Sequence, residues 1–277
     1  MGKNDDEEDT FNFDLSGFDD DFSVEIKSEG TEDSFIIDNA DSYTESSGVY
    51  TIVYTGLDGQ EHTVEIDPGD AHMVINLVCF TPDVRVDTPR GLRAVGTLAV
   101  GDLVHTMDHG AQVLRWIGRR KIVFPKGAHR FKPILVAAGS IDGTVPRRDV
   151  TLSPQHRILL RGPSVQKVCG TNMALTPVKA LTGAKGIRQA QGRNTVEYIS
   201  LLFDHHEIIT AEGMACESFL PRPYAREYLG KASIAEVDNL FPGVFSQDAE
   251  SRYPAARALL NVRQGKEIAS TALVFPT

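Results

Sequence analysis

Three short stretches of this 277-residue chain carry side chains with the reactivity for acyl chemistry. In LVCFTPDVRVDTPRG, residues 77–91, Cys79 stands where an apolar run gives way to a Pro-punctuated one. A cysteine there reads as a small buried hydrophobe or as a nucleophile, and a nucleophilic thiol needs a partner that activates it or protonates its leaving group. In VTLSPQHRILL, residues 150–160, Ser153 and His156 lie three apart. Pro154 biases Ser153 towards extended backbone, which predicts a turn interrupting a strand. In such a turn a hydroxyl and an imidazole can aim at one point; the alternative is a Ser-Pro turn with a surface histidine. In LLFDHHEIITAEG, residues 201–213, strand alternation puts Asp204 and His206 on one face and His205 and Glu207 on the other. All four then cannot converge on a metal, and an Asp204/His206 pair reads as support for acid–base chemistry. Cys79 and His156 are far apart in sequence, so only a fold could join them.

The elements that must do the joining are mostly strands. GVYTIVYTGLDGQEHTVEIDPG, residues 48–69, alternates apolar and polar on both sides of an Asp-Gly turn and predicts a hairpin. The apolar HMVINLV then leads into Cys79. From 79 to about 220, short apolar runs such as PILVAAGSI and VEYISLLF are separated by Gly, Pro and Asp, with no βαβ alternation, which predicts an all-β domain. After Pro221, REYLGKASIAEVDNLFPG and YPAARALLNVRQGKEIASTAL have helix-forming composition. The organisation expected is therefore an acidic, disordered tail over 1–47, a hairpin leader over 48–78, a β domain over 79–220 and a mostly helical extension over 221–277.

Charge follows that division. Residues 1–47 hold 16 Asp and Glu against 2 Lys and Arg, while the remainder holds 22 against 26, so the net charge of −10 belongs to a tail on a slightly basic body. Such a tail buries too little apolar surface to offset its chain entropy; calcium binding by its Asp clusters is the alternative, though no EF-hand spacing occurs. No run reaches the roughly 20 apolar residues of a membrane span, and the N-terminus lacks the apolar core of a secretory signal, leaving export by a signal-independent route open. Three scattered cysteines, Cys79, Cys169 and Cys216, make neither a disulfide framework nor a zinc site. The basic stretch WIGRRKIVFPKGAHRFK reads as a solvated face rather than a nucleic-acid surface.

Four ordered stretches, CFTPDVRVDTPRG, LAVGDLVHTMDHGAQVLRWIGRR, RRDVTLSPQHRILLRG and VEYISLLFDHHEIITAEGMACESFLP, resemble the Hint (hedgehog/intein) domain in its bacterial non-intein form. The resemblance covers about residues 79–220 and implies a flat all-β horseshoe with pseudo-twofold symmetry. It implies Cys79 as nucleophile, Ser153 and His156 as a Thr-x-x-His motif with Ser for Thr, and Asp204 and His206 as supporting acid–base groups. The implied reaction is an N-to-S acyl shift: the Cys79 thiol attacks the Val78 carbonyl, and the resulting thioester is opened by water or by a small or protein nucleophile. The substrate is the chain's own N-terminal segment, no cofactor or metal takes part, and no membrane or nucleic-acid partner is expected. Two departures stand out. Asp83-Val84 replaces Gly-Thr near the nucleophile, where a glycine's backbone freedom would matter. Glu217-Ser218 stands where inteins end in His-Asn, so cyclisation of a C-terminal Asn is not expected. Cys216 reads as a core thiol or as an acceptor of the acyl group. A Hint-derived secreted binding or adhesion module that has lost cleavage is the alternative to self-processing.

Overall fold

The computed structural model describes residues 10–15, 18, 20–25, 34–38, 42–46, 49–67, 72–73, 78–123, 132–222, 229, 231–246 and 249–272. The chain divides into two compact units, Met1–Ile75 with Tyr224–Lys231, and Asn76–Pro223 with Ala232–Thr277. From Ala232 onward the extension is thus part of the unit that holds Cys79. Among the described residues no helix is long and apolar enough to cross a membrane.

In the first unit, strands β1 (Thr10–Asp14), β2 (Phe22–Glu25), β3 (Ser34–Asp38) and β4 (Ser42–Ser46) lie in the acidic segment, followed by β5 (Val49–Thr55), β6 (Glu61–Asp67) and β7 (His72–Met73). The expected hairpin is β5–β6, paired antiparallel from Tyr50↔Ile66 to Thr55↔Glu61. Alternation buries Ile52, Tyr54, Val64 and Ile66 on one face. Where low apolar content predicts a disordered tail over 1–47, four short strands are found in these stretches, and the remaining residues of the segment lie outside the described ones. The physical reason is that the hairpin offers two edges: β2 joins β6 in parallel, with Phe22 opposite Val64 and Val24 opposite Ile66, and β4 joins β5. Tyr54 reinforces the first pairing by donating its hydroxyl to Asp20 O at 2.6 Å.

The second unit is all-β at its centre. Its strands are β8 (Arg85–Thr88), β9 (Gly91–Ala94), β10 (Leu103–Thr106), β11 (Gly110–Val113), β12 (Trp116–Val123), β13 (Ile134–Val136), β14 (Val150–Leu152), β15 (Arg157–Arg161), β16 (Met173–Pro177), β17 (Ile187–Gln189), β18 (Thr195–Leu202), β19 (Ile208–Ala211), β20 (Met214–Glu217) and β21 (Ala258–Leu259). One sheet runs β11-β10-β19-β20-β15-β16-β21, with β8 branching from β19 to β9; β12 pairs with β18 along its full length, and β13 lies between β14 and β17. The interior is a continuous apolar cluster that includes Phe80, Val84, Leu152, Ile158, Ile199, Phe203 and Cys216.

The extension contributes helices Lys231–Leu240, Ala249–Arg252 and Val262–Ala272, and also β21, which adds to the edge of β16 in parallel. Gly265 allows the last helix to approach closely: a Cβ there would stand 2.6 Å from both Ala180 Cβ and Thr176 Cγ2.

Candidate active site

Residue 80 fixes the site. Phe80 exchanges both backbone hydrogen bonds with Ile199 of β18, at 2.9 and 2.8 Å, and also bridges Leu152 of β14. An apolar residue fully inside the core thereby pins its neighbour Cys79 between two elements distant in sequence, the turn after β14 and the strand β18. The approach that precedes it, residues 74–77 of the apolar run, lies outside the described residues.

The turn after β14 is the one that Pro154 predicts. The His156 amide closes it on Ser153 O at 3.1 Å, and both side chains point inward. Ser153 holds Cys79 at two points: its Oγ accepts the Cys79 amide hydrogen at 2.9 Å, and its own amide donates to Cys79 O at 3.0 Å. His156 is fully buried, so the reading of a surface histidine is excluded. Its ring stands edge-on to Phe80 with centroids 4.3 Å apart, and among the described residues neither nitrogen makes a well-aligned hydrogen bond, though the backbones of Cys79 and Glu217 lie close by. Burial lowers its pKa to about 4, against the opposing pull of the Glu217 carboxylate and the nearby backbone of Cys79. At neutral pH the ring is uncharged.

Ser200, on β18, is the group that motif reasoning passes over. Its hydroxyl donates to Val78 O at 3.1 Å, and its oxygen lies 3.1 Å from Cys79 Sγ. A hydroxyl has one proton; with that proton on Val78 O, the remaining contact must be the thiol donating to the Ser200 oxygen. The thiol is held in its protonated form: burial pushes Cys79 up to about 12, opposed by Ser200 and by the charge of Arg120. The signal available in the sequence is a single serine between apolar residues in YISLLF. Two residues away on the same strand, Tyr198 is buried with no hydrogen-bond partner for its hydroxyl among the described residues, and burial raises its pKa.

Asp204 and His206 do not form the expected pair. Residues 204–205 form a bend, so the alternation assumed for this stretch fails. Asp204 and His205 are exposed, while His206 and Glu207 are buried. Asp204 meets Arg115 at 3.3 Å across a solvated surface. His206 turns inward, with Nε2 3.4 Å from Glu217 Oε2. Glu217 in turn accepts the Arg157 amide at 2.8 Å and lies 3.5 Å from its guanidinium. Burial pushes the Glu217 carboxyl up, but Arg157 and then His206 outweigh it, and the pKa is lowered, so a carboxylate stands behind His156. Glu207 pairs with His109 at 2.9 Å.

The Asp83-Val84 departure costs the backbone nothing. Among the described residues Glu212 is the one non-glycine with positive φ, so Asp83 occupies an ordinary turn. That turn is closed by Val84 N on Thr81 O at 3.2 Å and braced by Thr81 Oγ1 donating to Asp83 at 2.7 Å. Cys216 lies in the core, its pKa raised by burial, and Cys169 is half-buried at the end of the helix Pro163–Cys169.

A family model described as the Hint domain matches residues 78–223. No curated protein matches the chain. Among solved structures, the gp41-1 intein is 13% identical with a TM-score of 0.32, the match covering 50% of this chain and 96% of that one. A DnaB intein from Synechocystis sp. PCC 6803 is 8% identical with a TM-score of 0.34, over 51% and 98%. The bacterial intein-like domain from Clostridium thermocellum is 10% identical with a TM-score of 0.30, over 52% and 99%.

Proposed function

The chain belongs to the Hint domain family, and we propose that it breaks its own backbone once, at the Val78–Cys79 peptide bond, by an N-to-S acyl shift. The observation that carries this reading is the Ser200 hydroxyl, 3.1 Å from the attacking sulfur and 3.1 Å from the oxygen of the carbonyl to be attacked.

The steps follow from those contacts. As Cys79 Sγ bonds to the Val78 carbonyl carbon, closing a five-membered ring, the thiol proton passes to Ser200 and the Ser200 proton to Val78 O. A buried thiol with a high pKa can therefore attack without first becoming a free thiolate. The tetrahedral centre collapses by breaking its bond to the Cys79 nitrogen, and the Val78 O–H proton is returned as the carbonyl re-forms. His156, uncharged beforehand, takes up that proton and delivers it to the departing nitrogen. One proton leaves sulfur and one arrives on nitrogen, so the shift needs no cofactor. Ser153 holds the nitrogen in place throughout. Water, or a small or protein nucleophile, then opens the thioester and frees the segment ending at Val78.

No cut is proposed at the other end of the domain. Ser218, in the place of the cyclising Asn, has no side-chain amide, and the Glu217 carboxylate before it is held by the Arg157 amide. Asp204 takes no part in this reading, and His206 acts only through Glu217.

The test is intact-mass spectrometry of the full chain beside Cys79→Ala, with and without dithiothreitol. Fragments ending at Val78 and beginning at Cys79, accelerated by the thiol and absent from the variant, are the expected result. A wild-type chain that stays intact under every condition would leave the second reading, a secreted binding or adhesion module without its reaction. One observation favours that alternative: Cys79 is only 2% exposed, closed to an incoming nucleophile in the uncut chain.

A further inference from the structure

The bend that carries His206 is held by a segment fifty residues further along the chain. Tyr253 donates its hydroxyl to Phe203 O at 2.9 Å, and the Ala256 amide donates to His206 Nδ1 at 3.0 Å. Arg257 closes a two-pronged pair on Asp108 at 2.7 and 3.0 Å. Beyond them, Leu260 N bonds Leu175 O at 2.9 Å where β21 leaves the sheet.

The contact at Ala256 has a chemical consequence. A neutral imidazole carries a single proton, and a nitrogen that accepts from an amide carries none. The proton of His206 is therefore on Nε2, which lies 3.4 Å from Glu217 Oε2 with no formed hydrogen bond between them, so the N–H acts on the carboxylate as a nearby dipole. The second oxygen of Glu217 is fixed by the Arg157 amide. One oxygen of the carboxylate is thus fixed and the other stands beside the His206 N–H dipole, and its charge is the largest influence favouring a proton on His156. The charged side chains acting on His156 are Glu217 from β20 and Arg157 from β15, beside the backbones of Cys79 and Glu217. Of the two side chains, Glu217 attracts the proton and Arg157 repels it.

We propose that the backbone amide of Ala256 is a positioning group of the processing site: it selects the Nε2–H tautomer of His206, which orients the Glu217 carboxylate against His156. The extension is then part of the machinery rather than a cap on its edge. Its bearing on cleavage rests on the function proposed above; the tautomer and its effect on His156 do not.

Two measurements on the full chain test it. Ring-nitrogen NMR of the Cys79→Ala chain, which stays uncut, should find His206 as the Nε2–H tautomer with a proton-free, hydrogen-bonded Nδ1. The same spectra should find the His156 titration moved down by about one pH unit on adding Glu217→Gln. The Nδ1–H tautomer, a mixture of tautomers, or an unmoved His156 would overturn the proposal. Thiol-induced cleavage then separates positioning from anchoring. His206→Gln keeps a donor at the depth of Nε2 but loses the acceptor for Ala256; His206→Asn keeps an acceptor at the depth of Nδ1 but loses the donor. Positioning through Glu217 expects the Gln variant to cleave about tenfold faster, the factor that one unit of His156 proton affinity is worth. An Asn variant as fast as Gln, or faster, would reduce His206 to an anchor for the extension and overturn the proposal. An uncut wild-type chain would end the processing reading while the spectra still decide this one.

Discussion

Two segments reach His156 from opposite ends of the domain, and they are built from different chemistry. At Val78–Cys79 the polar groups are neutral: a thiol, two serine hydroxyls and a peptide bond, joined by hydrogen bonds of 2.9–3.1 Å. At Glu217–Ser218 they are charged or locked. Glu217 holds Arg157 and stands beside His206, while the Ser218 amide donates to Glu207 O and the Ser218 hydroxyl oxygen accepts from the Glu207 amide, both at 2.8 Å. Neutral hydroxyls can pass a proton and return to their starting arrangement at little cost. A buried carboxylate held by a guanidinium and flanked by an imidazole cannot be disturbed cheaply, because loss of one partner strands the others in low dielectric. One junction is suited to change covalent structure and the other to hold still while it happens.

If that division is right, substitutions at the two junctions fail in different ways. Glu217→Ala should cost the most stability, about 3–5 kcal/mol by chemical denaturation, because it removes the acceptor of the Arg157 amide and leaves buried His206 without its partner. A loss below about 1 kcal/mol would mean that the charges there are already relaxed by solvent, and the contrast would weaken. Ser200→Ala should leave the denaturation midpoint close to wild type and slow cleavage about 10²–10³-fold, the usual effect of removing one donor to a developing oxyanion. If Ser200→Ala cleaves at the wild-type rate, the proton must leave sulfur by another route, and the neutral junction loses its central element.

A smaller effect appears in the pH dependence. His156 is lowered from 6.5 to about 4 by burial, so the folded chain resists the proton that the unfolded chain accepts. Its stabilising contribution is full above pH 6.5 and is lost as pH falls towards 4, and below both values none remains. Over that window the loss is about 3 kcal/mol. His156→Gln should flatten the stability–pH curve between those limits. A variant curve as steep as wild type would assign the slope to the carboxylates instead.

Much of this site was legible in the sequence, and the parts that were not have physical reasons. Pro154 marks the turn that aims Ser153 and His156, and the alternation about Asp58-Gly59 marks the β5–β6 hairpin, because both signals are local. Ser200 has no such mark: a serine in YISLLF becomes reactive machinery only through the Phe80–Ile199 pairing, which joins positions far apart in the chain. The facing of residues 204–207 departs from alternation because a two-residue period holds only inside a strand, and the bend at Asp204–His205 resets it. The parallel additions of β2 to β6 and of β21 to β16 are invisible to periodicity for the reason that hides Ser200. Edge pairing between distant segments leaves no local pattern.

The mildest expected effect bears on the same contrast through a second thiol. Cys216 immediately precedes Glu217, opposes Ile158 across β15 and β20, and packs in the main core cluster. Burial raises its pKa, as it does for Cys79, so thiol acidity does not distinguish the two. Contacts do. Cys79 meets a hydroxyl that also touches a carbonyl one residue upstream, whereas among the described residues the polar contact of Cys216 is with Met214 O, at 3.7 Å. Cys216→Ala should therefore cost about 1 kcal/mol for the small void it leaves and yield the same two fragments at the wild-type rate. A denaturation curve and an intact-mass time course on one preparation check both halves. If the fragments vanish without added thiol and return with it, Cys216 is the acceptor of the acyl group, and the still junction would have a part in the chemistry after all.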